Sequence, residues 1–186
     1  MTKTASRGSA LIRIIVVLLS LAGLALPTGA HAQQKHKVDL PPPQSSRYVK
    51  EHIIDAGDVL GHQLRIVEVE KIYTKNNPVI LGVKASKVLQ WAFTNYIDGV
   101  GPVIVYEAWS MEDGNTIFME GTALTESRTT ATGSRRGSSQ GTLHFVGGTG
   151  KFASLQGLTV ARTEFDSDPD NGYNRPTGRI EYWIRE

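Results

Sequence analysis

The sequence predicts an all-β protein, an eight-stranded antiparallel barrel, and three observations carry that expectation. Short runs of β-branched and aromatic residues recur along the chain, each stopped by a Gly, Asn, Asp or Pro cluster. No confident long helix is visible after residue 32. One of the runs, 103–111, is apolar on both faces, as a barrel strand is when one face lines the interior and the other packs outward. A β-sandwich with this strand near its centre is the alternative.

Residues 1–32 read as a secretory signal that is cleaved after Ala32. Lys3, Arg7 and Arg13 precede an apolar run from Ile14, Pro27 and Gly29 break it, and Ala30-His31-Ala32 supplies small residues at the positions a signal peptidase reads. A membrane anchor needs about 20 apolar residues, which this run does not reach. Removal of the segment takes three basic residues and no acidic one, so 17 Lys and Arg remain against 18 Asp and Glu. The basic pI of 8.9 therefore belongs to the precursor. A near-neutral chain offers no clustered basic face for nucleic acid. The expected location is secreted or periplasmic, with no membrane span after cleavage.

There is no Cys in the 186 residues. Export permits disulfides, but this chain cannot make one, so its stability rests on a packed core. A thiol nucleophile and a thiolate metal site are excluded as well.

Residues 33–47 are polar and centred on Pro41-Pro42-Pro43. Consecutive prolines favour extended backbone without internal hydrogen bonds, so a flexible leader is expected there and the barrel domain over 48–186. Strands are expected at 64–73, 88–97, 103–111, 116–125, 142–146, 158–165 and 178–184. An eighth falls at 47–54 or at 79–83. The hairpin between the third and fourth strands carries Asp113-Gly114, a pair suited to the positive φ of tight turns. Residues 126–140, rich in Ser, Thr, Gly and Arg, are expected to be a loop.

Residues 145–157 read Phe-Val-Gly-Gly-Thr-Gly-Lys-Phe-Ala-Ser-Leu-Gln-Gly. This resembles the Gly-Gly-x-Gly-x-Phe-(four residues)-Gly segment of the allene oxide cyclase and dirigent superfamily. The Asp113-Gly114-Asn115 hairpin, with Tyr106 ahead of it, is similar to that of bacterial allene-oxide-cyclase-like secreted proteins. The resemblance covers residues 60–186. It implies a calycin-like, eight-stranded antiparallel barrel with a small cavity, often trimeric, acting on small hydrophobic molecules without a cofactor. No catalytic residue of the family aligns with a position here, and the plant cyclase's pocket Cys has no counterpart. Gly147, Gly148, Gly150 and Gly157 are read as structural turn residues, since glycine reaches backbone angles closed to other residues.

Several motifs fail on spacing or context. Gly-Gly-Thr-Gly-Lys lacks the phosphate-loop spacing, because Phe145 and Phe152 occupy the required Gly and Ser/Thr positions. Gly137-Ser138-Ser139-Gln140-Gly141 has the nucleophile-elbow letters without a strand before and a helix after. Asp166, Ser167, Asp168, Pro169 and Asp170 are read as a hydrated turn, with weak calcium binding the lesser option. The histidines beyond residue 32 (His36, His52, His62 and His144) show no ligand spacing, so no metal and no cofactor is expected.

The pocket candidates are Trp91, Tyr96, Tyr106, Trp109 and Tyr182, aromatic residues on three strands. Glu107 and Glu120 are the candidate acid or base residues, because burial raises a carboxyl pKa. The leading expectation is non-catalytic binding of a small hydrophobic molecule in the interior. A cofactor-free isomerase or cyclase, and a solid-cored structural or interaction barrel, are the alternatives. A homodimer or homotrimer is expected from strands apolar on both faces.

Overall fold

The computed structural model describes residues 33–166, 168 and 172–185; residues 1–32, where a signal is expected, and Asp170 of the expected acidic turn lie outside the described residues. The described residues form ten strands: β1 (His36–Leu40), β2 (Ser45–Asp55), β3 (His62–Ile72), β4 (Val79–Ile80), β5 (Val83–Ile97), β6 (Gly101–Met111), β7 (Thr116–Thr129), β8 (Arg135–Gly148), β9 (Leu155–Asp166) and β10 (Tyr173–Ile184). They form one antiparallel sheet in the order β1-β10-β9-β8-β7-β6-β5-β3-β2, with β4 paired to β5 off this path. The sheet does not close into a barrel: β1 and β2 are its two edges and no ladder joins them.

Connectivity nevertheless forces the sheet to curl. Laid flat, nine strands would separate the edges by about 38 Å at the usual strand spacing. Yet β1 and β2 are consecutive, and the chain between Leu40 and Ser45 spans at most about 18 Å. The short link Pro41-Pro42-Pro43-Gln44 therefore pulls one edge towards the other. Prolines carry no N–H, so this link cannot itself extend a ladder across the seam.

The sequence expectations differ from this structure in three places. The expected leader holds β1 and the start of β2, because β1 finds a hydrogen-bonding partner in β10. Of the two sites offered for an eighth strand, 47–54 lies within β2, while 79–83 holds the two-residue β4, a turn at 81–82 and the first residue of β5. The expected loop 126–140 is mostly strand: Ser127 opposes Gly137 and Thr125 opposes Ser139, with the turn confined to 130–134. Its polar composition suggests a loop, but each of its strands is paired on both sides. Ser139, the serine of the elbow-like pattern, thus sits within β8, and the strand continues past it to Gly148.

One face of the sheet points inward. On β6 it carries Val103, Val105, Glu107, Trp109 and Met111, all buried. Large side chains fill one end of the interior, among them Trp109, Ile117, Met119, Phe152, Leu155 and Ile180. Phe152 comes from one 3-10 turn, Gly150–Phe152, between β8 and β9. Gly157 lies where β9 crosses close to β10. Its φ is +142°, and a Cβ there would stand 2.1 Å from the Glu181 carbonyl oxygen, so only glycine fits.

Candidate functional site

At the other end the same inward face becomes small, and this leaves a cavity. Successive facing positions across the strands are Arg65, Thr94, Val103, Ala123, Gly141 and Ala161. The next level runs Val67, Ala92 and Val105. Alanine and glycine occur here where the packed end has Trp, Met, Ile and Phe. The cavity has a volume of about 410 Å³ and takes lining residues from β1, β2, β3 and every strand from β5 to β10. Its walls are Val67, Val69, Ala92, Val103, Val105, Ala123, Leu143 and Ala161. Gly99, Ser127, Arg135 and Asp166 line it beside the hairpin turns.

A buried polar cluster forms the floor. Lys71 Nζ donates to Glu107 Oε1 at 2.8 Å and to Gln90 Oε1 at 2.5 Å. Trp109 Nε1 donates to Glu107 Oε2 at 2.8 Å. Lys71 is 9% exposed and Glu107 6%. Both Glu107 oxygens are therefore engaged, while one of the three Lys71 N–H donors has no partner among the described residues. Burial, then the neighbouring Glu107 carboxylate, push the Tyr73 phenol up, so it stays protonated.

Nearer the turns, Arg65 and Thr94 face each other from β3 and β5. The Arg65 guanidinium is held by Glu51 through Nη2. Tyr96 donates its hydroxyl to Thr125 Oγ1 at 2.9 Å, and burial raises its phenol pKa. Arg65 Nε, Thr94 Oγ1 and Asn174 Oδ1 are buried atoms without a hydrogen-bond partner, and all three residues line the cavity. Buried polar atoms are ordinarily paired, so such atoms beside an empty volume need an explanation.

The structure separates the sequence candidates. Tyr96, Trp109 and Glu107 line the cavity. Trp91 and Tyr106 do not: they lie on the outer face, 37% and 40% exposed, with ring centroids 6.0 Å apart. Glu120 opposes Tyr106 on that face and is exposed. Tyr182 is buried outside the cavity, where its hydroxyl accepts from Leu81 N at 3.2 Å and its ring stacks on His36. The reason is strand parity. Trp91 and Tyr106 each stand one residue out of step with the inward set, and one step reverses the face.

Sequence reasoning did not single out Arg65, Lys71, Gln90 or Thr94. A signal was present for Lys71. It interrupts the alternation Val67, Val69, Lys71, Tyr73, as Glu107 interrupts Val103, Val105, Glu107, Trp109. Two opposite charges on two apolar faces mark a buried pair. Among the described residues no group of three His, Asp or Glu side chains is placed to hold a metal.

No family model, no curated protein and no solved structure matches this chain.

Proposed function

We propose that this is an exported container protein that binds a small hydrophobic molecule in its interior without transforming it. The observation that carries the reading is the cavity of about 410 Å³, apolar along its walls with a few convergent polar groups. That volume lies in the range of about 300–1,000 Å³ common to small-molecule sites. Cleavage after Ala32 and delivery to the periplasm or the exterior belong to the same proposal. So does the finer fold reading. The strands β2, β3 and β5–β10 number eight in one antiparallel path, β2 and β10 lie in contact, and β1 sits at that seam. This is the arrangement an allene-oxide-cyclase-like barrel with an inserted edge strand would have.

The cofactor-free isomerase or cyclase alternative runs through Glu107, the candidate carboxylate that lines the cavity. Its oxygens are tied to Lys71 and Trp109, which favours a fixed charge over a free base. Purification of the processed protein from its own host, with mass spectrometry of the retained molecule, tests the proposal. A retained molecule returned unchanged on incubation is expected. Conversion that disappears in Glu107→Gln and persists in Glu120→Gln would replace binding with catalysis.

A further inference from the structure

We infer that the ligand is an uncharged molecule carrying a hydrogen-bond-accepting oxygen that docks between Arg65 Nε and the Thr94 hydroxyl. This deepens the binding reading above and rests on it. The two groups stand at facing positions of adjacent strands. Both line the cavity, and neither Arg65 Nε nor Thr94 Oγ1 has a partner. Thr94 is 4% exposed, so bulk water does not serve its hydroxyl. Arg65 cannot simply turn away, because Glu51 holds the neighbouring Nη2 of its guanidinium.

The chemistry of the pair selects the ligand group. Arg65 Nε can only donate, and a threonine hydroxyl supplies one donor. Two adjacent donors suit one oxygen with two lone pairs, such as a ketone, ester or ether oxygen. A hydrocarbon would leave both donors unpaired, which is the costly outcome in a buried site.

Charge balance argues against an anion. The lining carries Arg65, Lys71 and Arg135 against Glu51, Glu107 and Asp166. Arg65 is already paired with Glu51, and Lys71 with Glu107. A carboxylate brought here would find its nearest cation already neutralised and would lose its hydration. The level beside the pair is Val67, Ala92 and Val105, so an apolar body fits next to the oxygen.

Three probes of similar shape test this: benzophenone, diphenylmethane and diphenylacetate, titrated into the processed protein by calorimetry after its retained ligand has been extracted. Benzophenone differs from diphenylmethane only in a carbonyl in place of a methylene. Benzophenone is expected to bind about fivefold or more tighter than diphenylmethane, the scale of one or two net hydrogen bonds. Diphenylacetate is expected to bind weakest. In Thr94→Val, a substitution of similar shape, the preference for benzophenone should shrink while diphenylmethane binding stays within about twofold. Equal binding of benzophenone and diphenylmethane to the unmodified protein, or tightest binding of diphenylacetate, would overturn the inference but leave the binding reading standing. No binding of any probe would overturn both. The unmodified protein decides the matter even if Thr94→Val fails to fold.

Discussion

Lys71 and Glu107, 36 positions apart in sequence, meet at 2.8 Å across β5 on the floor of the cavity. Neither partner is replaceable alone. Glu107→Gln leaves the Lys71 ammonium buried without its counter-charge and is expected to cost about 3–5 kcal/mol. Lys71→Met combined with Glu107→Gln removes both charges, and its amide keeps an acceptor for Trp109 Nε1. The double variant should recover at least half of the loss. Urea unfolding of the unmodified protein, of Lys71→Met and Glu107→Gln singly, and of the double variant measures this. Additive losses would mean that the pair is not coupled.

The cavity exists because side chains are small at one end of the inward face and large at the other. An identical substitution should therefore behave differently at the two ends. Ala123→Leu adds carbons to empty volume and is expected to cost less than about 1 kcal/mol, whereas Ala85→Leu overpacks the filled end and should cost about 1–3 kcal/mol. Ala85 is fully buried, and Ala123 lines the cavity. Ala123→Leu should also abolish recovery of a retained ligand. Chemical denaturation and mass spectrometry of both variants check the contrast. Equal costs would show that the space around Ala123 is not open.

Much of the strand pattern is legible in the sequence because alternation and turn chemistry are local. The Asp113-Gly114 hairpin is closed by Met111 N to Asn115 O at 2.9 Å, and Asp113 Oδ1 accepts from Asn115 N. The inward set of β6 is readable for the same reason. What local reading misses depends on partners far along the chain. β1 looks like a leader until β10 is in place. The stretch 126–140 looks like a loop until β8 lies between β7 and β9. Trp91 and Tyr106 have the residue types of a pocket but the wrong parity for one. Arg65 and Thr94 carry no signal by type, and only the ladder of β3 with β5 brings them together.

Their outward parity gives Trp91 and Tyr106 another context. Ile66, Phe93 and Ile104 face one another on adjacent strands of the outer surface, each more than two-fifths exposed. Scattered exposed apolar residues are ordinary, whereas a contiguous row is a feature of association surfaces. A homodimer or homotrimer is expected to cover this row. Light scattering at micromolar concentration should return a multiple of the chain mass, and Ile104→Asp should lower it. A monomeric unmodified protein would remove the oligomer from the account.

Near the cavity's turns, His62 ties the loop 56–61 to β5. Its Nδ1 lies 2.5 Å from Asp58 Oδ1 and its Nε2 2.7 Å from Asn95 Oδ1. Both neighbours are acceptors, so both contacts are hydrogen bonds only when the ring is an imidazolium. The Asn95 and Asp58 contacts accordingly raise the His62 pKa, and the His62 contact lowers that of Asp58. A histidine whose folded pKa exceeds its unfolded value of about 6.5 contributes stability fully below that value. The contribution is lost as pH rises through the raised folded value. For Asp58 the sign is opposite: its part is present above its unfolded value, about 3.9, and lost as pH falls through the lowered folded one. The clasp is therefore strongest between the two ranges. Unfolding by urea from about pH 5 to pH 9 should show the unmodified protein losing stability relative to His62→Gln as the ring deprotonates. Parallel profiles for the two proteins would show that the clasp contributes nothing to folding.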